Sequence, residues 1–216
     1  MILSRGRKYL FIHVPKTGGT SMALALEARA MKDDIMLGDT PKALRRRGKL
    51  KGAKAAGRLW KHSTLADLDG LIETDELEEL FIFTMVRNPW DRLVSYYHWL
   101  RAQSFDHPSV GLAKALAFDA FLAEPAIAQS FRSAPAVSYL TDAEGVERAN
   151  LYIRLEHLAQ DIVPLAAHLG FALDLPHVNQ SARRADYREA YSPDSISLVK
   201  EMCAADIEKF GYRFGA

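Results

Sequence analysis

Apolar residues gather into three short runs. Tyr9 to Val14 (Y-L-F-I-H-V), Phe81 to Val86 (F-I-F-T-M-V) and Leu151 to Leu155 (L-Y-I-R-L) are mostly apolar without strict alternation. Runs of this length and continuity fit strands buried on both faces of a parallel sheet. Helical patterns lie between and after them. Met22 to Met31 is rich in Ala, Leu and Glu, all good helix formers. Asn88 fits an N-cap and Pro89 a first helical position, with Asp91 in the first turn and the apolar pattern running on to Leu100. Glu156 to Leu169 predicts a helix closed by Gly170, and Pro193 to Phe210 a long C-terminal helix capped by Ser192. Shorter signals are a helix over Phe118 to Leu122 stopped before Pro125, a turn at Thr141 to Gly145, and an acidic, solvated helical turn at Glu73 to Glu79. Ser63 or Thr64 caps a short helix, with Asp67 as the partner of Thr64 in a capping box. Gln103 to Gly145 is otherwise irregular. Strands alternating with helices predict an α/β fold: three layers, with a central, mainly parallel sheet between helices.

Composition bounds this picture. The 216 residues are 49% hydrophobic and 25% charged, which fits one domain, 1–216, with no internal repeat. The net charge of +1 provides no global field for a polyanion. The one cysteine, Cys203, rules out an internal disulfide or a cysteine zinc cluster; it shares a helical stripe with Ile196, Val199 and Phe210 and reads as a core thiol. No apolar run reaches the length of a membrane span and no signal-peptide pattern precedes the first strand, so a soluble, cytoplasmic protein is expected. The segment of about 33–60 stands apart as a basic insert: Lys42, Arg45, Arg46, Arg47, Lys49, Lys51, Lys54 and Arg58 occur with no acidic residue between Pro41 and Trp60, interrupted by Gly48, Gly52 and Gly57. Two readings are open for residues 42–58, a solvated loop or a surface for an anionic acceptor such as an acidic glycan. A nucleic-acid surface is not expected, because aromatics are not interleaved with the charges.

The chemistry concentrates where two strands hand over to helices. After Val14 comes Pro15-Lys16-Thr17-Gly18-Gly19-Thr20-Ser21. Two glycines allow a sharp turn and close approach of a ligand, and the first N–H groups of the following helix attract an anion. Lys16 adds a charge, and Thr17, Thr20 and Ser21 add hydroxyls. This is not a Walker A loop, whose lysine follows the last glycine. The second strand leads into Arg87-Asn88-Pro89-Trp90-Asp91, with Ser95 about two helical turns on. Arg87 suits a bidentate phosphate contact, or a salt bridge to Asp91; Ser95 is a second phosphate ligand or a helix-surface hydroxyl.

Both turns resemble the sulfotransferases that use 3′-phosphoadenosine 5′-phosphosulfate (PAPS). P-K-T-G-G-T-S resembles their 5′-phosphosulfate loop, and F-T-M-V-R-N-P-W-D-R-L-V-S-Y-Y their 3′-phosphate motif, whose arginine and serine fall on Arg87 and Ser95. Leu151 to Asp161 resembles a strand–helix segment of the family, His177 to Arg184 (H-V-N-Q-S-A-R-R) the late loop that closes over the nucleotide, and Asp206 to Tyr212 the family's C-terminal end. The resemblance spans most of the chain and points to the branch of carbohydrate (heparan-sulfate 2-O-type) sulfotransferases and their bacterial relatives. It implies a sulfotransferase fold related to P-loop nucleotide kinases. It implies PAPS as donor and adenosine 3′,5′-bisphosphate as product. Lys16, Thr17, Gly18, Gly19, Thr20 and Ser21 would hold the 5′-phosphosulfate, Arg87 and Ser95 the 3′-phosphate, and Ser181, Arg183 and Arg184 the adenosine side. Lys16 would stabilise the leaving oxygen.

The acceptor would be a hydroxyl, expected on a glycan or small molecule. The transferred group carries less charge than a terminal phosphate, so no metal is required, and no EF-hand or HExxH pattern occurs. Of seven histidines, His62 in K-H-S-T resembles the family segment that carries the catalytic base, though a hydrogen-bonding role at a helix entry is also open. Glu73 or another nearby carboxylate is the fallback base. His13 reads as a core imidazole, and His98, His157 and His168 as ordinary helix residues. Two other classes fit less of the pattern: a P-loop-like kinase, and a non-catalytic PAPS-binding module.

Overall fold

The computed structural model describes residues 1–176 and 186–216; Ser181, Arg183, Arg184 and the rest of the segment expected to close over the nucleotide lie outside these. In chain order the elements are β1 (Ile2–Ser4), β2 (Tyr9–Ile12), α1 (Gly19–Ala28), β3 (Ile35–Met36), α2 (Pro41–Arg46), α3 (Thr74–Glu79), β4 (Phe81–Val86), α4 (Pro89–Arg101), α5 (Pro108–Ala115), α6 (Phe118–Ala123), α7 (Pro125–Arg132), α8 (Ala136–Tyr139), β5 (Leu151–Arg154), α9 (Leu158–Asp161), α10 (Val163–Leu169), α11 (Pro193–Met202) and α12 (Ala204–Phe210). They group into two compact units, one of residues 1–86 and 136–178, the other of 87–135 and 179–216.

The first unit holds the sheet, in the order β3-β1-β2-β4-β5. Its three-strand core is parallel, with Ile12 opposite Thr84 and Phe83 opposite Leu151. The other two strands are antiparallel: β1 pairs with β2, Ile2 opposite Phe11, and β3 pairs with β1. The sequence pattern missed this edge because β1 is three residues long and runs straight into Arg5-Gly6-Arg7-Lys8. Successive side chains of a strand face opposite ways, and both faces are covered. Tyr9, Phe11, Phe83 and Met85 pack with Met22 and Leu26 of α1 and Leu165 of α10. Leu10, Ile12 and Ile82 pack with Leu65, Leu68, Leu77 and Leu140 on the other side. Two apolar faces produce an apolar run with no alternation. Thr84, fully buried, donates its hydroxyl to the Ile12 carbonyl at 2.7 Å and ties β4 to β2.

The basic segment is more ordered than the loop expected from its glycines. Thr40 caps α2, its hydroxyl oxygen accepting from the Ala43 N–H at 3.2 Å while the hydroxyl donates to Glu27 at 2.5 Å. Lys42 donates to the Glu27 carbonyl, Arg46 to Met31 O at 2.7 Å, and Lys49 to Lys32 O. These carbonyls lie at and just beyond the C-terminal end of α1, where the helix dipole favours cations. Part of the basic run therefore caps α1.

The expected helix over Glu156 to Leu169 is broken into a 3₁₀ turn, α9 and α10. Asp161 binds the Arg154 guanidinium at 2.8 and 3.0 Å and its backbone N–H at 3.0 Å, and Pro164 opens α10 without an N–H to donate. Gly170 closes α10 with φ 75°.

The second unit is helical among its described residues. Trp90, Leu93 and Tyr97 of α4 pack with Phe121, Ile127, Val199, Met202 and Cys203. Asn88 caps α4, its side-chain oxygen accepting from the Trp90 N–H at 3.1 Å, ahead of Pro89. The long C-terminal helix is two, α11 and α12, turned at Cys203 (φ −113°, ψ 21°), which is buried and whose thiol pKa is pushed up to about 12 by burial. Ser192 and Ser195 form a reciprocal cap at the start of α11. Replacing Ser192 with Ala removes the side-chain acceptor for the Ser195 N–H and should lower unfolding free energy by about 1 kcal/mol, read as a shift of the urea midpoint at unchanged slope.

Candidate active site

The carboxyl ends of β2 and β4 lie side by side, since the strands are parallel neighbours. Beyond β2, His13 and Val14 lead to Pro15 and Lys16, and α1 begins at Gly19. Lys16 and Gly18 both take left-handed backbone, φ 65° and 89°. For glycine this costs little; for lysine it is a strained conformation that the surroundings must impose. Gly18 brings no capping side chain to α1, so the N–H groups of Gly19 and Thr20 at the start of the first turn face whatever sits in the corner, whereas the Ser21 N–H donates to the Gly18 carbonyl at 3.0 Å. Thr20 and Ser21 are half-buried. Thr17 is buried, and its hydroxyl donates to the Val14 carbonyl at 2.8 Å. Its one hydroxyl proton therefore serves the turn and is not available to an anion.

The glycines are needed for packing too. A Cβ on Gly18 would come within 3.0 Å of Leu155 and 3.2 Å of Met85, and one on Gly19 would lie 2.1 Å from Cδ2 and 2.4 Å from Nε2 of His13. The His13 ring thus fills the space beside the first residue of α1. It is 8% exposed and stacks at 5.8 Å on Phe11. Burial, reinforced by neighbouring cations that include Lys61 and Lys16, holds its pKa well below the usual histidine value. The expected core imidazole is therefore also the wedge of the corner, a pairing with Gly19 that spacing alone does not reveal.

His62 docks on the same residue. Its Nδ1 lies 2.7 Å from the His13 carbonyl oxygen, and the two rings meet edge to face at 4.7 Å. A carbonyl only accepts, so Nδ1 carries the proton and Nε2 keeps its lone pair. Burial lowers the His62 pKa to about 4, opposed by this hydrogen bond and assisted by Lys61. The imidazole is neutral at pH 7. Ser63 builds the turn that presents it: the buried hydroxyl donates to Arg58 O at 2.8 Å and accepts from the Trp60 N–H at 2.9 Å. Thr64 and Asp67 bond reciprocally, the capping box read from the sequence. Trp60 meets the His62 ring edge-on at 5.0 Å, and Lys61 pairs with Asp39 at 2.5 Å. Sequence reasoning named neither Trp60 nor Asp39 as site residues; the only signal was their closeness to His62 and to the basic segment.

In the second unit, Arg87 follows the last residue of β4. Its guanidinium donates through Nε and Nη2 to one Asp91 oxygen at 2.8 and 2.5 Å, the salt bridge that the spacing allowed. Ser95 is 5% exposed on the second turn of α4. Glu73 is an exposed residue ahead of α3. His107 caps α5 through Nδ1, and His168 bonds Arg7 O at 3.0 Å while stacking on Phe81. Among the described residues no cluster of three or more His, Cys, Asp or Glu could hold a metal ion, and no helix is long and apolar enough to cross a membrane.

Two outcomes follow from the corner. Gly19→Ala should displace the His13 ring and destabilise the fold by about 2 kcal/mol, whereas Gly111→Ala, a site with open space around it, should not; thermal unfolding compares them. The lowered His62 pKa also sets a pH window. The unfolded chain takes up a proton near pH 6.5 and the folded chain only near pH 4, so this stability is present above pH 6.5 and lost as pH falls towards 4. The full loss is about 3 kcal/mol. His62→Asn keeps a donor near the His13 carbonyl but does not titrate, so urea denaturation between pH 7 and pH 4.5 should show a shallower decline in that variant.

The chain matches the sulfotransferase family over residues 1–213. A comparison with curated protein sequences gives no match. Among solved structures, the crystal structure of mouse sulfotransferase SULT7A1 complexed with PAP superposes with a TM-score of 0.55 at 18% identity, covering 95% of this chain and 85% of that one. That likeness is one of fold: a central sheet with a parallel core, flanked by helices. With the family matched over nearly its whole length, the chain belongs to the sulfotransferases, and it is an enzyme of sulfuryl transfer.

Proposed function

We propose that the protein transfers a sulfuryl group from PAPS to an acceptor hydroxyl, on a carbohydrate, with His62 as base. The observation that carries this reading is the hydrogen bond from His62 Nδ1 to the His13 carbonyl, which attaches a neutral imidazole to the strand that feeds the glycine corner. The corner suits an anionic donor, because the helix start lacks a capping side chain and begins with two residues, Gly18 and Gly19, that carry no side chain of their own. When bound there, PAPS supplies the sulfuryl group. Lys16, the N–H groups of Thr17, Gly18, Gly19 and Thr20, and the Ser21 hydroxyl hold the 5′-phosphosulfate. Arg87 and Ser95 take the 3′-phosphate, with Asp91 orienting the guanidinium, and Ser181, Arg183 and Arg184 serve the adenosine side.

His62 Nε2 accepts the acceptor's hydroxyl proton as that oxygen bonds to sulfur and the bond from sulfur to the phosphate oxygen breaks. Lys16 neutralises the charge that builds on the departing oxygen, more in the transition state than in the ground state. A base of pKa about 4 is weak in the ligand-free site, but an anionic donor close by raises it towards the working range. No metal is needed in this scheme.

Adenosine 3′,5′-bisphosphate should raise the melting temperature more than ATP with magnesium does; the reverse would favour a kinase. Arg87→Ala should weaken that nucleotide by about tenfold or more, through loss of a charge-assisted bidentate contact. Equal binding would remove Arg87 from the site. His62→Ala should leave nucleotide affinity in place and lower turnover of labelled PAPS by about a hundredfold. Near-normal turnover would clear His62 of the base role.

A further inference from the structure

Within the second unit, the chain beyond α12 returns to the start of α4. Gly211 closes α12 in left-handed backbone, φ 68°, and the residues after it reach the cap of α4. Asn88 uses both ends of its side-chain amide there. The oxygen accepts from the Trp90 N–H at 3.1 Å; the nitrogen donates to the Arg213 carbonyl at 2.9 Å and, at a longer 3.4 Å, to the Tyr187 hydroxyl. Gly215 donates its N–H to that same hydroxyl at 2.8 Å. Phe214 lies between Arg213 and Gly215, and three rings meet it edge to face: Trp90 at 5.8 Å, Tyr187 at 5.7 Å and Tyr191 at 5.4 Å. Such contacts add to the stabilisation that burial alone provides. Tyr191 also donates its hydroxyl to the Trp90 carbonyl at 2.8 Å. One turn into α4, Arg92 and Asp206 of α12 are both buried and pair at 3.6 Å.

Asn88 follows Arg87 directly in the chain. A helix cap needs only a side-chain oxygen, which Ser or Asp supplies as well. The amide nitrogen of Asn88 is committed instead to residues 99 and 125 positions away, at a site 2% exposed. We propose that Asn88, Tyr187 and Phe214 form a clasp that positions Arg87 and Ser95 for the 3′-phosphate of the nucleotide. That role presupposes the 3′-phosphate site at Arg87 and Ser95 proposed for this enzyme. The clasp fixes the peptide from which Arg87 projects and the first turn of the helix that carries Ser95, while Asp91 holds the far end of the guanidinium. Two groups share one phosphate only while their spacing is held, and groups that must be ordered on binding cost affinity. Loss of the clasp therefore falls on a nucleotide that carries a 3′-phosphate and spares one that lacks it. A purely stabilising role would not separate the two.

Calorimetric titration of the full chain with adenosine 3′,5′-bisphosphate and with adenosine 5′-monophosphate tests this, the reading being the preference for the bisphosphate. Asn88→Ser keeps a capping oxygen and loses the amide donor. Tyr187→Phe removes only the hydroxyl that Gly215 and Asn88 share, and Phe214→Ala removes the ring. Each should weaken the bisphosphate by about fivefold and the monophosphate by less than about twofold. Phe214→Tyr keeps the ring and should restore the preference to within about twofold of the wild type. Ile127→Val, in the core of α7 outside the clasp, should lower the melting temperature and leave the preference unchanged. Arg87→Ala should reduce the preference at least as far as any clasp variant. Tyr187→Phe, the mildest change, decides the matter if Phe214→Ala does not fold. Clasp variants that weaken both nucleotides alike, or neither, would overturn the positioning role. If Arg87→Ala reduces the preference and the clasp variants do not, only the clasp falls. If the clasp variants reduce it and Arg87→Ala does not, Arg87 leaves the phosphate site and the clasp stands, acting through Ser95. A wild-type chain with no preference for the bisphosphate overturns both.

Discussion

The corner at the end of β2 depends on one residue doing two jobs. The His13 side chain fills the space that only a glycine leaves open at the start of α1, and its backbone carbonyl takes the Nδ1 proton of His62. The first contact sets how closely the helix start approaches the strand end. The second sets which nitrogen of His62 keeps a lone pair. Burial then keeps both rings neutral, so two imidazoles can meet at 4.7 Å without charge repulsion. A strained lysine backbone within the same turn fits a corner shaped for a ligand, since left-handed backbone at a residue with a side chain persists only where the surroundings demand it.

The turn after β4 follows a different logic. α4 is fixed by Asn88 and Pro89 before any ligand is considered, and Asp91 in its first turn both suits the helix dipole and holds Arg87. A guanidinium already ordered by a carboxylate loses less freedom when it meets a phosphate than one waving in solvent would. The salt bridge and the proposed ligand role, which look like rival readings of Arg87 in the sequence, are therefore compatible: a carboxylate that holds the guanidinium would orient it for a phosphate.

Charge in the basic segment is divided between structure and surface. Residues that reach back to the carbonyls beyond α1 complete that helix, and Arg47, Lys51 and Arg58 line a groove beside Trp60. Net charge hides this division, because the acidic residues that balance the total lie elsewhere in the chain.

The strands β2, β4 and β5, the helix α4 with its cap, and the two motif turns were legible in the sequence, because each is written locally: an apolar run, a cap residue, a glycine pair. The family followed from the same short segments. What local patterns could not supply were contacts between residues far apart in the chain. β1 is too short to register without its partners, the expected helices at Glu156 and Pro193 break for reasons set by Arg154 and by packing around Cys203, and α2 emerges from a glycine-marked stretch because Thr40 and Glu27 meet. The wedge of His13 against Gly19, the proton on His62 Nδ1, the committed hydroxyl of Thr17 and the nearness of Trp60 and Asp39 to the candidate base were decided by tertiary structure alone. Sequence determines which groups are available and which backbone turns are cheap; packing decides which atoms share a volume, and with it which protons are held and which charges remain to meet a ligand.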